Sequence, residues 1–231
     1  MIIQGKKVLI TGGAKRVGKM FVKKFQQLGA DVVVHYNNSE DEAKLLSNQT
    51  VKFDLSDPAN LPNIFKEIGP IDILINNASA FNKDRLLNST YNKVLKEISV
   101  NFFSPFEIIR QFALQDKEGV ILNILDRRIK ANDISCVPYS LSKKALAELT
   151  YSSAIELAPK IRVNAVAPGP ILAPDNVKIS DYVEKSGNIP LCKNPDPNDL
   201  ISAGIHLIEN NSVTGQVIYV DGGQHLLGNG I

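Results

Sequence analysis

Two side chains with complementary acid–base chemistry stand four residues apart in the segment PYSLSKK. They are Tyr139 and Lys143, and an i, i+4 spacing places both on one face of a helix. A lysine ammonium beside a phenol favours the phenolate and lowers the tyrosine pKa from about 10 toward neutrality. Such a tyrosine can serve as a general acid or base, although a chance surface pair on a helix has the same spacing.

Two more polar residues stand where they could assist this pair. Asp126 follows an apolar run, and its carboxyl could hydrogen-bond the phenol or hand a proton to a ligand. The alternative for Asp126 is a solvated turn residue beside Arg127 and Arg128. Asn101 lies in a helical stretch near Pro105, where it could bond a backbone carbonyl, hold a water, or simply cap a helix break.

A glycine-rich turn, VLITGGAKRVG at 8–18, joins a run of β-formers to an amphipathic helix pattern. Its spacing is Thr11-Gly12, then Arg16 and Gly18, which differs from the common G-x-G-x-x-G fingerprint. Backbone N–H groups of such a turn and the following helix N-terminus can receive a phosphate. Taken alone, the turn could equally be strand-to-helix punctuation.

The elements that must position these residues follow from the alternation of apolar runs with helical patterns. It predicts an α/β fold of one domain, 1–231, with a doubly wound parallel sheet of about seven strands and helices on both faces. Strands are predicted at 7–11, 31–36, 50–53, 71–75, 119–124, 161–166 and 216–220, and helices at 17–28, after Ser39, and at 58–68, 91–100, 103–114, 137–157 and 198–208. Ligands of such sheets bind beyond the carboxyl ends of the strands. The polar, proline-rich segment 171–197 is predicted to be a lid over that site.

Composition excludes several classes of function. The chain has 231 residues, a net charge of +2 and 44% hydrophobic residues, which gives no reason to expect nucleic-acid or membrane-surface binding. The two cysteines, Cys136 and Cys192, form no C-x-x-C motif, so neither a disulfide framework nor a metal site is expected. A cytoplasmic location is expected, since the N-terminus carries no export leader and no apolar run could span a bilayer.

Taken together, the motifs resemble the short-chain dehydrogenase/reductase family along essentially the full chain. The matching features are the turn at 11–18, Asp54, the NNA motif at 76–78, Asn101, Tyr139 with Lys143, Pro168-Gly169 and a terminal VDGG at 220–223. The resemblance implies that Tyr139 is the catalytic acid, that Lys143 lowers its pKa and binds the nicotinamide ribose, and that Asn101 supports a proton-relay water.

The resemblance also implies a cofactor site along the carboxyl edge of the sheet. Asp54 would bond the adenine amino group, and Asn77 and Ala78 would line the cofactor. The full set of predicted cofactor contacts is Gly12, Lys15, Arg16, Val17, Gly18, Tyr36, Asn37, Asn38, Ser39, Asp54, Leu55, Asn77, Ala78, Ser79, Tyr139, Lys143, Pro168 and Gly169.

Departures from the family's usual pattern indicate the substrate. The family usually has serine at the position of Asp126 and glycine where Arg16 and Ser79 stand. These residues, with Phe81, resemble the pteridine reductase branch, in which the phenylalanine stacks a flat pterin ring against the nicotinamide. The implied substrate contacts are Arg16, Ser79, Phe81, Asp126 and Tyr139. The alternatives are a core position for Phe81 and a neutral small replacement at Ser79.

The end of the second predicted strand indicates NADPH as the cofactor. NAD-binding sites place an acidic residue there, whereas this chain reads His35-Tyr36-Asn37-Asn38-Ser39 before its first carboxylate, Glu40. A 2′-phosphate would meet no repulsion, and Lys15, Arg16 and the Ser39 hydroxyl could bind it.

The leading hypothesis is thus an NADPH-dependent reductase of dihydropteridine-type substrates. A keto reductase of 3-oxoacyl thioesters is the first alternative, and Asp126 argues against it, because an anionic carboxylate disfavours a developing oxyanion. A non-catalytic, nucleotide-sensing regulator on the same fold is the second, and the intact Tyr139–Lys143 pair argues against it. By analogy with the family, a homotetramer, or a dimer, is expected.

Overall fold

Continuous β-forming runs such as DVVVHY build the centre of the fold, because strands buried on both faces carry apolar residues at successive positions. The computed structural model describes residues 1–173, 177, 181–182 and 187–228. Within these residues the strands are β1 Lys7–Ile10, β2 Asp31–Tyr36, β3 Thr50–Lys52, β4 Ile73–Asn76, β5 Gly119–Ile124, β6 Ile161–Pro168 and β7 Val217–Val220.

All strand pairs are parallel, and the described strands form one seven-stranded sheet in the order β3-β2-β1-β4-β5-β6-β7. The register pairs Ile10 with Ile75 across β1 and β4, which is where the chain switches from one half of the sheet to the other. Ile124 at the end of β5 pairs with Val166 in β6. The residues that follow β1, β4, β5 and β6 therefore meet at one edge, where ligands of doubly wound sheets bind.

Helices cover both faces of the sheet, and each buries one apolar side against it. The helices are α1 Arg16–Gln27, α2 Glu40–Leu46, α3 Ile64–Ile68, α4 Tyr91–Ile98, α5 Ser104–Ala113, α6 Val137–Glu156 and α7 Pro197–Glu209. Side chains of α1, α2 and α7 pack with Val8 and Ile10 in one core. Leu9, between these two in sequence, points to the opposite face and packs with side chains of α3, α5 and α6.

The predicted fold class is confirmed. The helix predicted over 58–68 is wrong as a single helix, because it is interrupted. A 3₁₀ turn at Pro58–Asn60 is followed by a break, and α3 begins only at Ile64. Leu61 is extended because it precedes Pro62, and a residue before proline disfavours the helical conformation. The Gln111 side chain bonds both the Ile64 N–H and the Pro62 carbonyl, at 3.0 and 3.2 Å, and so satisfies the backbone of this break.

The two helices predicted at 91–100 and 103–114 form one rod, because a π-helical turn over Ser99–Phe103 joins α4 to α5. Pro105 lies in the first turn of α5, where its missing N–H removes few helical hydrogen bonds. Asn101 sits inside the π-turn and is fully buried. Turns of this kind commonly occur at functional sites.

Ten of the 27 residues of the predicted lid at 171–197 lie outside the described residues. The lid therefore stays a prediction, as does the expected homotetramer. No described helix is both long and apolar enough to cross a membrane. The described residues also contain no cluster of three His, Cys, Asp or Glu side chains that could hold a metal ion.

Replacing Phe112 by Ala tests the core between α5 and the sheet. Phe112 is fully buried, so we expect the free energy of unfolding to fall by about 3–5 kcal/mol through lost burial and a residual cavity. Phe106→Ala is the matched control, since Phe106 is 48% exposed on the same helix and its loss should cost less than about 1 kcal/mol. Urea unfolding of the two variants measures this difference, and equal losses would contradict the assignment of the core face.

Candidate active site

A cleft of about 1680 Å³ opens at the edge where β1, β4, β5 and β6 end. Eighteen of the residues predicted to bind cofactor or substrate, or to act in catalysis, line it. They are Gly12, Lys15, Arg16, Val17, Gly18, Asn37, Asn38, Asp54, Leu55, Asn77, Ala78, Ser79, Phe81, Asp126, Tyr139, Lys143, Pro168 and Gly169. Residues far apart in sequence are thus brought together by the parallel sheet.

Three predicted site residues do not line this cleft. Tyr36 is buried at the end of β2. Ser39 is the residue that precedes α2, and its side chain makes no capping hydrogen bond there. Asn101 lies behind the cleft wall in the π-turn. The predicted contacts of Tyr36 and Ser39 with a cofactor are therefore not formed by the cleft as it stands.

Asp126 accepts a hydrogen bond from the hydroxyl of Tyr139, at 3.0 Å between the hydroxyl oxygen and Oδ2. The carboxylate also caps the 3₁₀ turn over Arg127–Lys130, since its Oδ1 accepts from the Arg128 N–H at 2.8 Å. Both alternatives considered for Asp126 therefore apply: it is a turn residue and it bonds the phenol. In the second role, Oδ2 of the carboxylate accepts the hydrogen bond of the reactive hydroxyl of Tyr139.

In this structure Lys143 does not bond the phenol, and its expected effect on the pKa of Tyr139 stays a prediction. Burial, and then the negative charge of Asp126, raise the pKa of Tyr139 well above its ordinary value. Lys143 Nζ donates to the Ile124 carbonyl at 2.8 Å and lies 5.9 Å from the Tyr139 ring centroid. Burial lowers the pKa of Lys143 itself to about 8. The phenol is therefore neutral at working pH and suited to donate a proton.

Asn101 uses its whole side-chain hydrogen-bonding capacity on protein groups. Its Oδ1 accepts from the Ser79 hydroxyl and the Ala80 N–H, at 3.1 and 2.8 Å. Its Nδ2 donates to the Ala80 carbonyl and to the Ser142 hydroxyl, at 2.8 and 2.9 Å. The side chain is thus fully engaged with protein groups, and the expectation that Asn101 supports a relay water stays a prediction. These contacts fasten the loop after β4 to α6, the helix of Tyr139.

The glycine turn is shaped by close packing against the NNA motif. Gly12 has a φ of +60°, and a Cβ on it would approach the Ala78 Cα to 3.0 Å. A Cβ on Gly18 would lie 2.2 Å from the Gly12 carbonyl oxygen, so only glycine fits. Asn77 Nδ2 donates to the carbonyls of Thr11 and Gly12, at 2.9 and 3.1 Å, and holds the turn against β4.

Arg16 has protein partners in this structure, and its contacts with phosphates and a flat substrate stay a prediction. It lines the cleft, but its Nη1 and Nη2 donate to the carbonyls of Ala173 and Leu172, at 2.9 and 3.0 Å. Its φ of +51° is unusual for a residue with a side chain and explains why glycine suits this position. In this structure Arg16 therefore ties the glycine turn to the chain beyond β6.

His35 is a residue of this site that sequence reasoning missed. Its Nδ1 accepts from the Gly12 N–H at 3.0 Å, and its Nε2 donates to the Phe53 carbonyl at 3.0 Å. The imidazole stacks on the Phe53 ring at 3.9 Å, and burial lowers its pKa to about 4. The neutral ring thus braces the glycine turn from β2. A polar residue inside the run of buried valines was the available signal.

Comparison with known proteins identifies the family. Residues 12–225 match the family model described as enoyl-(acyl carrier protein) reductase. A 2-dehydro-3-deoxy-D-gluconate 5-dehydrogenase of Formosa agariphila is 31% identical, over 96% of this chain and 93% of its own length. The chain belongs to the short-chain dehydrogenase/reductase family.

Other members of the family act on different substrates. Bovine L-xylulose reductase is 28% identical over 96% of this chain and 97% of its own length. Among solved structures, FolM alternative dihydrofolate reductase 1 from Brucella canis, complexed with NADP, is similar with a TM-score of 0.89 and 33% identity. That match covers 97% of this chain and 96% of the Brucella chain. The counterpart from Brucella suis, also in complex with NADP, has a TM-score of 0.88 at 33% identity, covering 98% and 97% of the two chains.

Membership of the short-chain dehydrogenase/reductase family makes this chain an oxidoreductase, as its sequence motifs predict. The Rossmann-type fold, which the Brucella FolM structures share, agrees with that prediction. The varied activities named for its relatives leave the substrate to be argued from the site itself.

His35 predicts how stability depends on pH. Its pKa is about 4 when folded and near 6.5 when unfolded, so the unfolded chain binds the proton first as the pH falls. This residue's contribution is fully present above pH 6.5, and we expect about 2–3 kcal/mol of it to be lost by pH 4.5.

The comparison variant is His35→Asn, which lacks the titrating ring. Urea unfolding of both proteins at pH 7 and pH 4.5 gives the two changes in the free energy of unfolding. We expect the variant to be less stable at pH 7 but to lose less stability on acidification. Identical losses would rule out the neutral, buried imidazole.

Proposed function

We propose that this chain is an NADPH-dependent reductase of dihydropteridine-type substrates. The observation that carries the proposal is the joint placement of three side chains in one cleft. The Tyr139 hydroxyl is hydrogen-bonded to Asp126, and the Phe81 ring meets the Tyr139 ring edge-on, with centroids 4.7 Å apart. Phe81 is 47% exposed, so it leaves apolar surface open to a flat substrate beside the proton donor. This placement answers the alternative that Phe81 is a core residue.

The residues around the glycine turn fit a dinucleotide phosphate. Helix α1 points its N-terminus into the cleft through Arg16 and Val17. No side chain caps it in the described part of the chain, and its first turn holds no acidic residue. Uncapped N–H groups and the positive end of a helix dipole favour an anion at this point. The Brucella FolM structures, which hold NADP, support the same use of the fold.

The charges at the end of β2 favour a cofactor with a 2′-phosphate. His35, Asn37 and Asn38 line the cleft there, and none is acidic. Lys15 also lines it, paired with Glu42 through a 2.7 Å contact in which both side chains are about half exposed. Such an exposed pair is weak, so Lys15 can turn to a phosphate at little cost. Asp54 lies farther along, where it bonds Asn37 and the Ser56 N–H.

Reduction of a C=N bond adds a hydride to carbon and a proton to nitrogen. Bound NADPH supplies the hydride. Tyr139 supplies the proton, since its raised pKa keeps the phenol neutral and its hydroxyl is fixed by Asp126. After transfer, the phenolate of Tyr139 lies beside the carboxylate of Asp126. The positive charge of Arg128 offsets part of this repulsion, because it acts to lower the pKa of Tyr139. Lys143, held on the Ile124 carbonyl, adds a second cation to the wall of the cleft.

Two other functions fit the same family. Keto reduction agrees with the sugar-derived substrates named for several relatives. Asp126 argues against it, because its carboxylate stands where an alkoxide would need hydrogen-bond donors. A nucleotide-sensing regulator would need no proton donor, yet the chain keeps both Tyr139 and Lys143 buried in the cleft. The pterin assignment is the one that gives Asp126, Tyr139 and the exposed ring of Phe81 a common role.

Replacing Tyr139 by Phe should remove the proton donor while keeping the ring that meets Phe81. We expect kcat for a dihydropterin to fall by at least about 100-fold. Thermal unfolding and the dissociation constant for NADPH should stay close to those of the wild type. A fully active variant would show that another group donates the proton.

The substrate class is tested by NADPH oxidation with dihydrobiopterin and, separately, with an acetoacetyl thioester. We expect turnover of the pterin, and Phe81→Ala should raise its KM about tenfold through lost ring stacking. Phe103→Ala is a matched control, because Phe103 is similarly exposed and lies outside the cleft lining. Turnover of the thioester alone would contradict the proposal, and turnover of neither would favour the regulator.

A further inference from the structure

Arg128 is a residue of the cleft that neither the motifs nor the family pattern single out. Its Nη1 donates to both oxygens of Asp126, at 3.2 and 3.1 Å. Its Nε donates to Asp133 Oδ2 at 2.8 Å. The three side chains are 12–22% exposed, so water screens these contacts far less than at the surface. Asp126 and Asp133 thus bind different nitrogens of the guanidinium and together fix its plane.

Asp133, the second anchor, is itself held by the chain beyond it. Its Oδ1 accepts from the N–H and the hydroxyl of Ser135, at 2.9 and 2.6 Å. Although burial acts in the opposite direction, these hydrogen bonds and the one from Arg128 hold the pKa of Asp133 below its ordinary value. Asp133 is thus an anion whose position is held by its two hydrogen bonds from Ser135. Because Arg128 is bonded to both carboxylates, it fixes the position of Asp126 relative to Asp133.

The same guanidinium lies over the ring of Phe81, with Cζ 5.7 Å from the ring centroid. This distance is within the range of a cation–π contact, and the planar group suits stacking better than an ammonium would. Phe81 in turn touches Tyr139, and Tyr139 bonds Asp126. Arg128, Phe81, Tyr139 and Asp126 therefore form a closed ring of contacts, in which Arg128 joins the proton donor's partner to the aromatic surface.

We propose that Arg128 is a positioning residue that selects for flat, aromatic substrates. It holds the Phe81 ring and the Asp126 carboxylate in one fixed arrangement, so that a planar ring lying on Phe81 presents its nitrogen to Tyr139. This inference rests on the pterin-reductase function proposed above. A merely structural role in the turn over Arg127–Lys130 would leave the substrate's KM unaffected once the protein is folded.

Replacing Arg128 by Met tests the inference, because Met keeps the length of the side chain but neither the charge nor the fork. With dihydrobiopterin and NADPH we expect KM to rise about tenfold and kcat to fall as well, since Asp126 is released. The dissociation constant for NADPH should change less than twofold. Lys130→Met, an exposed residue of the same turn outside the cleft lining, should leave all three constants unchanged.

The decisive measurement is the double variant Phe81→Ala with Arg128→Met. If Arg128 acts on KM through Phe81, the double variant should have nearly the KM of Phe81→Ala alone. Multiplied KM effects, or an Arg128→Met protein with the wild-type KM, would overturn the inference.

Arg128→Lys keeps the inference testable if Arg128→Met does not fold. It retains a charge that supports the turn but cannot bridge two carboxylates and stack, so KM should still rise, and a wild-type KM overturns the inference. A wild-type enzyme that ignores dihydrobiopterin would instead refute the proposed function. Pterin turnover that is insensitive to Arg128 would refute only the role given to this residue.

Discussion

The hydrogen bond between Tyr139 and Asp126 depends on the register of the parallel sheet. Asp126 follows β5, which is held in register between β4 and β6, and Tyr139 lies in the first turn of α6. Lys143 reinforces this placement from the next turn of α6 by donating to the last carbonyl of β5. Asn101 secures the same helix to the loop after β4. The sheet thus positions Asp126 through β5, and it positions Tyr139 through the contacts that Lys143 and Asn101 make with α6 and its neighbours.

Buried charge in this cleft is balanced locally. Arg128 is shared by two carboxylates, whereas Lys143 is held by a carbonyl and has its pKa lowered by burial to about 8. Arg127 is also buried, and no described group accepts a hydrogen bond from its Nη1. Burial lowers the pKa of Arg127, and the charges of nearby aspartates oppose that effect. The positive charge of Arg128 therefore offsets only part of the cost of a phenolate beside Asp126, since burial and Asp126 together raise the pKa of Tyr139.

The alternation of apolar runs with helical patterns was enough to predict the fold, because the central strands β1, β2, β4 and β5 are buried on both faces. The bounds of β2 and β5 were predicted to the residue. What the sequence could not show was the direction of side chains: Asn101 points at protein groups, and Lys143 reaches the Ile124 carbonyl rather than the phenol. His35 and Arg128 were missed because their partners, Gly12, Phe53, Asp133 and Phe81, come from other elements. Contacts between separate elements leave no periodic trace in the sequence.

The left-handed backbone at Arg16 has a consequence for how this chain can vary. A residue with a side chain held at a φ of +51° carries local strain, typically about 1–3 kcal/mol, which glycine would relieve. Glycine would also remove both hydrogen bonds to the carbonyls of Leu172 and Ala173. Relief of backbone strain and retention of these two hydrogen bonds therefore oppose each other at this single position. With arginine at position 16, the backbone is strained, and the glycine turn stays bonded to Leu172 and Ala173.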